Sequence, residues 1–422
     1  MPFTRRQFIA GSAALTAVAG LARPAIAAAM PKVVVIGGGV GGASLAAKLS
    51  ISGGIDVTLV EPNKVYTACF KSNHHLGGLE TFEAIRHDYM AVAKRPGVTV
   101  AQDRAAKIDR DKKHVTLAGG NILAYDRLVV APGISLDYAS VPGWSKEAET
   151  RMPHGWEAGE QTLILKRQLD AVPDGGLIVV IPPPPPARCP PAPYERVSMM
   201  AHVLKSTGRG KARIVIVDPK EKFSKQALFQ QGWERHYPGM IEWLPPMIHA
   251  GIKHVDPKTL SVETDFETYK SPAMVNVIPA HRAGTIAVQS GLTDASGYCP
   301  IDPFTMKSKI DGSVFVIGDA ALTGDMSRSA SAASEQARVV AGVIAAELLG
   351  RKKLGDGFET KCWSLLTPDD SVYVIDRFRP TATEIDKTGS VISRLEDDIA
   401  TRRTNVMESR AWHAALTKEM FG

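Results

Sequence analysis

The sequence predicts an α/β fold made of two successive units with parallel sheets, and three observations support this prediction. An apolar strand, Lys32–Ile36, runs into a glycine-rich loop and an alanine-rich helix. A second apolar strand, residues 176–181, opens a further unit, and a third, residues 314–317, ends in a Gly-Asp pair. Apolar strands that alternate with helical segments are typical of parallel sheets covered by helices on both faces.

Composition places the chain among ordinary globular proteins. It has 422 residues, of which 44% are hydrophobic and 22% charged, enough for two or three domains with sizeable cores. The formal net charge is only +6 and no concentrated basic run is present. The sequence therefore predicts no nucleic-acid partner.

The first residues have the pattern of an export signal. Arg5 and Arg6 precede an apolar run over residues 8–21, and Ala25-Ile26-Ala27 fits a signal-peptidase site. The run is shorter than the roughly 20 apolar residues that span a bilayer. We therefore expect a twin-arginine signal peptide over residues 1–27, a periplasmic mature protein, and no stable membrane insertion.

The mature chain opens with a dinucleotide-binding signature. The spacing G-x-G-x-x-G follows the first strand and precedes a helix, which permits a tight turn and close approach of a pyrophosphate to the backbone. A second strand, Asp56–Val60, ends at an acidic residue suited to bond ribose hydroxyls. The predicted binding residues are Gly37, Gly39, Val40, Gly41, Gly42, Glu61, Pro62 and Asn63.

Two later segments indicate that this dinucleotide is FAD. Residues 125–133, ending at Gly133, resemble the strand by which flavoproteins with two dinucleotide-binding domains return to the flavin domain. Residues 314–320, with Gly318 and Asp319, resemble their second flavin motif. The helical composition of residues 334–349 predicts a helix whose N-terminal dipole faces the cofactor.

Five prolines, residues 182–186, follow the strand that opens the second unit. Prolines lack the N–H groups that a phosphate loop needs, so we expect no NAD(P) in this unit. The stiff run either holds the nearby Cys189 in place or forms only a rigid turn.

Cysteine spacing leaves the role of the thiols open. The chain has four cysteines, at positions 69, 189, 299 and 362. In an exported protein a pair can be a structural staple, a redox centre or both. The sequence contains no C-x-x-C-H motif and no zinc-ligand spacing, which predicts no haem and no metal in this chain. We assign Cys299 to packing near the flavin.

Six further stretches are distinctive: RCPPAPYER at 188–196, PHGWEAGEQT at 153–162, QGWER at 231–235, IPAHRAG at 278–284, YCPID at 298–302 and CWS at 362–364. With these stretches, nearly the whole mature chain resembles the flavin-binding subunit of flavocytochrome c sulfide dehydrogenase. The resemblance implies a glutathione-reductase-like fold, transfer of electrons to a c-type cytochrome, and a redox disulfide beside the flavin.

The resemblance also assigns residues to roles. Cys189 and Cys362 stand at the positions of the disulfide, and Glu195 at that of the proton-handling residue, with an N-cap or surface carboxylate as its alternative. Cys69 stands where FAD is attached through a thioether, with a buried structural thiol as its alternative. The family's usual Thr-Cys-Tyr appears here as Ala-Cys-Phe, so two flanking hydroxyls are missing.

The function predicted from these features is oxidation of sulfide to persulfide or polysulfide sulfur, with FAD as cofactor and a c-type cytochrome as electron acceptor. The alternatives are a sulfide:quinone oxidoreductase, a pyridine-nucleotide disulfide reductase, and a non-catalytic flavoprotein that reactivates a partner in a sulfur-oxidation complex. The predicted domains are the signal peptide at 1–27, the FAD-binding domain at 30–155 and 272–345, a second Rossmann-like domain at 156–271, and a C-terminal interface portion at 346–422.

Overall fold

A computed structural model of the protein describes residues 29–352, 355 and 357–422, and the compact unit within it is Pro31–Gly422. The predicted signal peptide lies outside the described residues. The helices are α1 (Val40–Ser52), α2 (Ser72–Leu76), α3 (Met90–Ala93), α4 (Glu160–Ala171), α5 (Ala192–Ser206), α6 (Gln226–His236), α7 (Pro246–His249), α8 (Thr285–Gln289), α9 (Ala330–Leu349) and α10 (Ile399–Phe421). None of the helices in this described part has the length and apolar content that a bilayer span requires.

The strands are short in the first two thirds of the chain and longer near its end. They are β1 (Lys32–Ile36), β2 (Asp56–Val60), β3 (Val65–Thr67), β4 (Arg86–Asp88), β5 (Val98–Ala101), β6 (Ala105–Asp109), β7 (His114–Leu117), β8 (Ile122–Ala124), β9 (Arg127–Val130), β10 (Ile134–Asp137), β11 (Leu177–Ile181), β12 (Arg213–Val217), β13 (Ile241–Leu244), β14 (Ile252–Asp256), β15 (Ser261–Thr264), β16 (Thr268–Tyr269), β17 (Met274–Val277), β18 (Ala280–Ala283), β19 (Cys299–Pro300), β20 (Val314–Val316), β21 (Ala321–Leu322), β22 (Phe358–Thr367), β23 (Asp370–Pro380) and β24 (Ile385–Ile392).

The first sheet is parallel, with the strand order β20-β9-β1-β2-β5. Its central strand β1 is apolar throughout residues 33–36 because it is covered on both faces, and α1 and α9 pack together beside it. Since all five strands run in one direction, the loops after β1, β2, β9 and β20 meet at the same edge of the sheet. This edge brings together the glycine loop, Glu61, Gly133 and the Gly318-Asp319 pair.

The second sheet is also parallel, with the order β13-β12-β11-β17, and α5 follows its central strand β11. Its core includes Ile178, Val197, Ile214 and Phe229, all fully buried. The carboxyl end of β11 is therefore the place where the proline run and Cys189 leave the sheet.

The C-terminal portion consists of the antiparallel sheet β22-β23-β24 followed by α10. Its apolar side chains join both preceding cores, with Phe358 in the first and Leu366 in the second. Arg402 of α10 is fully buried, and its Nη1 lies 3.3 Å from Oδ1 of Asp370 at the start of β23. The domain limits at residues 155, 271 and 345 stay a prediction.

Candidate functional site

In the glycine loop after β1, the fold requires glycine at some positions but not at Gly39. Gly37 has a φ of +97°, and a Cβ placed there would lie 2.2 Å from the carbonyl oxygen of Ala131. A Cβ on Gly42 would lie 1.9 Å from the carbonyl oxygen of Gly37, so close packing of helix and strand excludes any side chain. A Cβ on Gly39 would meet no described atom within 4 Å. The protein leaves open space above Gly39, at the start of α1.

That open space has the chemistry of a pyrophosphate site. Gly39 is the N-cap of α1, and no side chain among the described residues caps this helix. The N–H groups of its first turn therefore face the open space without a side-chain acceptor. Glu61, at the end of β2, is buried; its Oε2 accepts the Gly38 N–H at 2.8 Å and its Oε1 accepts the Asn63 N–H at 3.0 Å. The donor set therefore fits FAD, with N–H groups for the phosphates and a carboxylate for the ribose.

A cavity of about 520 Å³ runs along this edge of the first sheet. Two predicted binding residues, Gly42 and Pro62, lie outside its lining: Gly42 packs on the backbone of Gly37, and Pro62 is exposed. Helix–strand packing accounts for Gly42, and the roles of Gly42 and Pro62 as cofactor contacts stay predictions. The predicted binding residues that line the cavity are Gly37, Gly39, Val40, Gly41, Glu61, Asn63, Cys69, Gly133, Gly318 and Asp319.

The helix predicted over residues 334–349 begins four residues earlier, as α9. Ser329 is its N-cap, and its hydroxyl accepts the Ala332 N–H at 3.1 Å. Ser329, Ala330 and Ala333 line the cavity, so the positive end of the helix dipole faces it. Burial raises the pKa of Asp319, and Arg188, whose Nη1 lies 3.8 Å from Oδ2 of Asp319, opposes this rise.

A second, smaller cavity of about 100 Å³ adjoins the first. The two share Cys69, Arg188, Ser329 and Ala330 in their linings. The smaller cavity also contains all three predicted catalytic side chains, which are Cys189, Glu195 and Cys362. The structure thus brings the thiols of residues 189 and 362 to one cavity, and Cys69 to the boundary with the cofactor cavity.

Cys189 lies at the end of the proline run in an unusual backbone conformation. Its φ is +50°, in the left-handed region that non-glycine residues seldom adopt. Its N–H donates to the carbonyl oxygen of Arg328 at 2.7 Å, and its own carbonyl accepts the Ala192 N–H at 2.9 Å. Pro182 and Pro183 are buried next to β11. These contacts support the reading in which the stiff segment fixes the position of the thiol.

Burial is the main cause that raises the pKa of the Cys189 thiol well above its ordinary value, and the charges of Cys362 and Glu195 act in the same direction. All four cysteines are free thiols in this structure, so the predicted bond between Cys189 and Cys362 is not formed here. Cys299 is fully buried in the core of the first sheet, as the packing assignment predicted, and burial raises its pKa to about 12.

Glu195 lies in the first turn of α5 but does not cap that helix. Its Oε2 accepts the Asn73 Nδ2 amide at 2.9 Å, and its Oε1 accepts the backbone N–H of Leu365 at 2.9 Å. The Asn73 Oδ1 in turn lies 3.3 Å from Nε of the buried Arg196. The carboxylate therefore joins α2, α5 and β22 at the wall of the smaller cavity.

Sequence reasoning missed Lys225, which immediately precedes α6. Its ammonium lies 3.7 Å from the Cys362 Sγ and 2.8 Å from the Ser364 Oγ. No local pattern marks this lysine, because the contact joins residues 137 positions apart. Arg188 belongs to the stretch 188–196 that carries the resemblance, but neither its contacts nor those of Asn73 were predicted.

The second sheet holds an acidic residue where a nicotinamide domain would use one to bind ribose. Asp218 follows β12 and is fully buried. Its carboxylate accepts the Tyr194 hydroxyl and the Trp243 indole N–H, and it lies 2.6 Å from the Lys220 ammonium. That ammonium also donates to the carbonyl oxygen of Pro183 at 2.9 Å. The protein's own side chains thus bond both oxygens of this carboxylate.

Three models of known protein families match this chain, and together they cover most of the described residues. Residues 162–279 match the model described as sulfide dehydrogenase (flavocytochrome c) flavoprotein chain, central. Residues 357–421 match flavocytochrome c sulphide dehydrogenase, flavin-binding, and residues 31–169 match pyridine nucleotide-disulphide oxidoreductase. FAD-binding domains are therefore present at both ends of the chain.

Individual relatives are more distant. The mitochondrial sulfide:quinone oxidoreductase of Mus musculus is 23% identical over 315 residues, which are 68% of this chain and 65% of the mouse protein. The match thus spans less than two thirds of that relative's length.

Solved structures show the fold. The sulfide:quinone oxidoreductase of the hyperthermophilic bacterium Aquifex aeolicus superposes with a TM-score of 0.73, 16% identity and 92% of each chain covered. The match to the covalent putidaredoxin reductase–putidaredoxin complex has a TM-score of 0.66 and 17% sequence identity, and it covers 89% of this chain and 93% of that chain. The predicted α/β class with two dinucleotide-binding domains is confirmed.

Proposed function

The chain belongs to the flavocytochrome c sulfide dehydrogenase flavoproteins, and from this premise we propose that it oxidises sulfide through a Cys189–Cys362 disulfide and passes the electrons to a c-type cytochrome. The observation that carries the proposal is the shared cavity. Both thiols line it, and it adjoins the predicted FAD cavity along Cys69 and Arg188. A sulfur substrate bound there would contact the wall that carries both thiols, next to the larger cavity.

The first step is thiol–disulfide exchange. Hydrosulfide attacks one sulfur of the disulfide, the S–S bond breaks, and its electron pair stays on the other sulfur as a thiolate. The products are a cysteine persulfide and a thiolate, so atoms and electrons balance. Glu195 lies on the same wall and is the group that takes or returns a proton during binding and release of sulfur.

FAD, when bound, accepts two electrons from sulfur and releases them singly. The residues that hold it are those of the larger cavity: the first turn of α1 and the N-terminus of α9 for its phosphates, and Glu61 for its ribose. We propose that Cys69 attaches it covalently, because this thiol lies in the linings of both cavities. Arg188 lines both cavities together with this thiol, and attachment requires the sulfur as a thiolate.

Nicotinamide nucleotides are not part of the proposed reaction. The prolines after β11 lack N–H donors, and Asp218 is already bonded to Tyr194, Trp243 and Lys220. Binding the ribose of NAD(P) at Asp218 would require the Lys220 ammonium to leave a buried ion pair, which is strongly unfavourable.

The electron acceptor is proposed as a separate c-type cytochrome met in the periplasm, because this sequence has no haem-attachment motif and opens with the twin-arginine pattern. We assign the cytochrome contact to the C-terminal portion, which carries Cys362 on β22. The similarity to the mouse sulfide:quinone oxidoreductase favours one second candidate, in which a quinone accepts the electrons.

An anaerobic reduction assay tests the proposal. The purified full-length protein with FAD is mixed with sulfide, and flavin bleaching is followed; cytochrome c or a short-chain quinone is then added. We expect bleaching by sulfide and reoxidation by cytochrome c. Reoxidation by quinone alone would favour the second candidate. Failure of sulfide to bleach a flavin that dithionite reduces would favour a non-catalytic role in a sulfur-oxidation complex.

A further inference from the structure

Lys225 places a buried positive charge against one sulfur of the proposed disulfide. The residue is only 7% exposed. Its Nζ lies 3.7 Å from the Cys362 Sγ, 3.3 Å from the Cys362 carbonyl oxygen and 2.8 Å from the Ser364 hydroxyl. Lys225 takes part in none of the ion pairs between described residues, so no carboxylate of these residues lies within 4.0 Å of its ammonium. The only neighbour among these three that can become an anion is the Cys362 sulfur.

The fold keeps this lysine in place against three unfavourable effects. Its φ is +60°, in the left-handed region of the backbone, which is strained for a residue other than glycine. It is the N-cap residue of α6, where the helix dipole repels a cation. A buried ammonium without a counter-ion also loses its hydration. An anion forming on the neighbouring sulfur relieves the second and third effects together.

We infer that Lys225 is the counter-ion that receives Cys362 as the leaving thiolate, so that sulfide attacks Cys189 and the persulfide forms on Cys189. This inference rests on the proposed disulfide chemistry. Hydrosulfide bonds to the Cys189 Sγ, the S–S bond breaks, and its electron pair goes to the Cys362 Sγ beside the ammonium. A sulfur that leaves as a stabilised thiolate leaves faster, which directs attack to its partner.

The surroundings of the two sulfurs agree with this direction. Burial is the largest cause that raises the pKa of the Cys189 thiol; the charges of Cys362, Glu195 and Cys69 act in the same direction, and Lys225 opposes them. The Lys361 ammonium, on the same wall, is directed to Glu359 at 3.4 Å. The remaining titratable or charged groups of the cavity are Cys69, Arg188, Arg196 and His413.

Site-resolved alkylation tests the inference. Full-length protein with both thiols reduced is exposed briefly to iodoacetamide at neutral pH, and modification of Cys189 and Cys362 is quantified by mass spectrometry. Because the thiolate is the nucleophile, Cys362 should react faster than Cys189 in the natural protein. Lys225→Met should slow Cys362 at least roughly tenfold, which corresponds to about 1.4 kcal/mol. Lys225→Arg should restore most of the rate.

A matched variant separates this contact from the general charge of the cavity. Lys361→Met removes an ammonium from the same wall and should change the Cys362 rate less than about twofold, as expected for a half-exposed ion pair. If Lys225→Met does not fold, Lys225→Gln keeps a donor for Ser364 and serves as the test. Two results would overturn the inference. One is an unchanged alkylation rate of Cys362 in the folded Lys225 variant; the other is an equal decrease of that rate in Lys361→Met.

The site of the persulfide gives an independent readout. After one equivalent of sulfide, the protein is blocked with an alkylating agent, and the additional sulfur should be found on the peptide that contains Cys189. Additional sulfur on the Cys362 peptide would contradict the assignment. Alkylation of the reduced protein needs no sulfide, so its result stands even if sulfide fails to bleach the flavin and the proposed function is wrong.

Discussion

Two glycines of the loop after β1 should respond to substitution in opposite ways. A Cβ on Gly42 would lie 1.9 Å from the Gly37 carbonyl oxygen and 3.2 Å from the Val35 Cγ1. A normal contact is roughly 3.5 Å, so helix and strand would have to separate by more than 1 Å, and overpacking of this kind costs about 1–3 kcal/mol. The gain in helix propensity from glycine to alanine is only about 1 kcal/mol. Gly42→Ala should therefore lower the free energy of unfolding.

Gly39→Ser should leave the fold intact and weaken only the cofactor. A Cβ there meets no described atom, and the φ of −66° with ψ of −169° suits a serine N-cap. Serine is slightly better than glycine at an N-cap, by a few tenths of a kcal/mol, so the apoprotein should be at least as stable. Its side chain would occupy the space above the first turn of α1. We expect the FAD dissociation constant to rise at least tenfold, or about 1.4 kcal/mol.

Both effects can be measured on one background. Apoprotein carrying Cys69→Ala binds FAD only reversibly, so FAD affinity is obtained by fluorescence titration and stability by urea unfolding without FAD. Natural FAD affinity in Gly39→Ser would refute the assignment of the pyrophosphate to the α1 N-terminus. An unfolding free energy for Gly42→Ala equal to that of the natural protein would refute the packing argument.

Four further predictions concern the cofactor, the electron donor, the thiols and pH. FAD should stay with the acid-precipitated polypeptide, whereas the Cys69→Ala protein should release it into the supernatant. NADH and NADPH should fail to bleach the flavin at a rate comparable to that of sulfide in stopped-flow mixing. Cys189→Ser and Cys362→Ser should each abolish sulfide-dependent cytochrome reduction while dithionite still reduces the flavin; lost stability of about 2–5 kcal/mol with surviving turnover would instead indicate a structural staple. His413 is buried and its pKa is lowered to about 3, so it is neutral in the folded protein but gains a proton on unfolding below about pH 6.5. Stability should therefore fall as pH decreases from 6.5 toward 3, and His413→Gln should reduce the slope of the urea midpoint against pH by the equivalent of one proton.

The cofactor site was largely predictable because its requirements are local in sequence. A tight turn, close backbone approach and a helix N-terminus require glycines at fixed spacing, and the carboxyl ends of parallel strands meet at one edge. Gly37, Gly39 and Glu61 were therefore found from the sequence. The roles of Gly42 and Pro62 as cofactor contacts stay predictions, because the spacing does not say whether a position faces the ligand or the neighbouring backbone.

The charge beside the thiols was not predictable from local pattern. Lys225 reaches Cys362 only because α6 packs against β22, and Glu195 reaches Leu365 for the same kind of reason. In the sequence, Lys225 looks like any surface lysine in a polar loop. The buried pair of Arg402 and Asp370, which joins α10 to β23, likewise depends on contacts between distant segments.

The order of strands in the first sheet has a consequence for biosynthesis. β9 ends at Val130, and its outer neighbour β20 begins only at Val314, so residues 131–313 leave the ribosome between them. At about 5–20 residues per second, the nascent sheet waits roughly 10–40 s with an unpaired apolar edge. Such an edge can pair with other chains. The flavin cradle is completed later still, when α9 has emerged, so FAD must be captured by a nearly finished polypeptide, and a chaperone that shields the β9 edge should raise the yield of flavinylated protein.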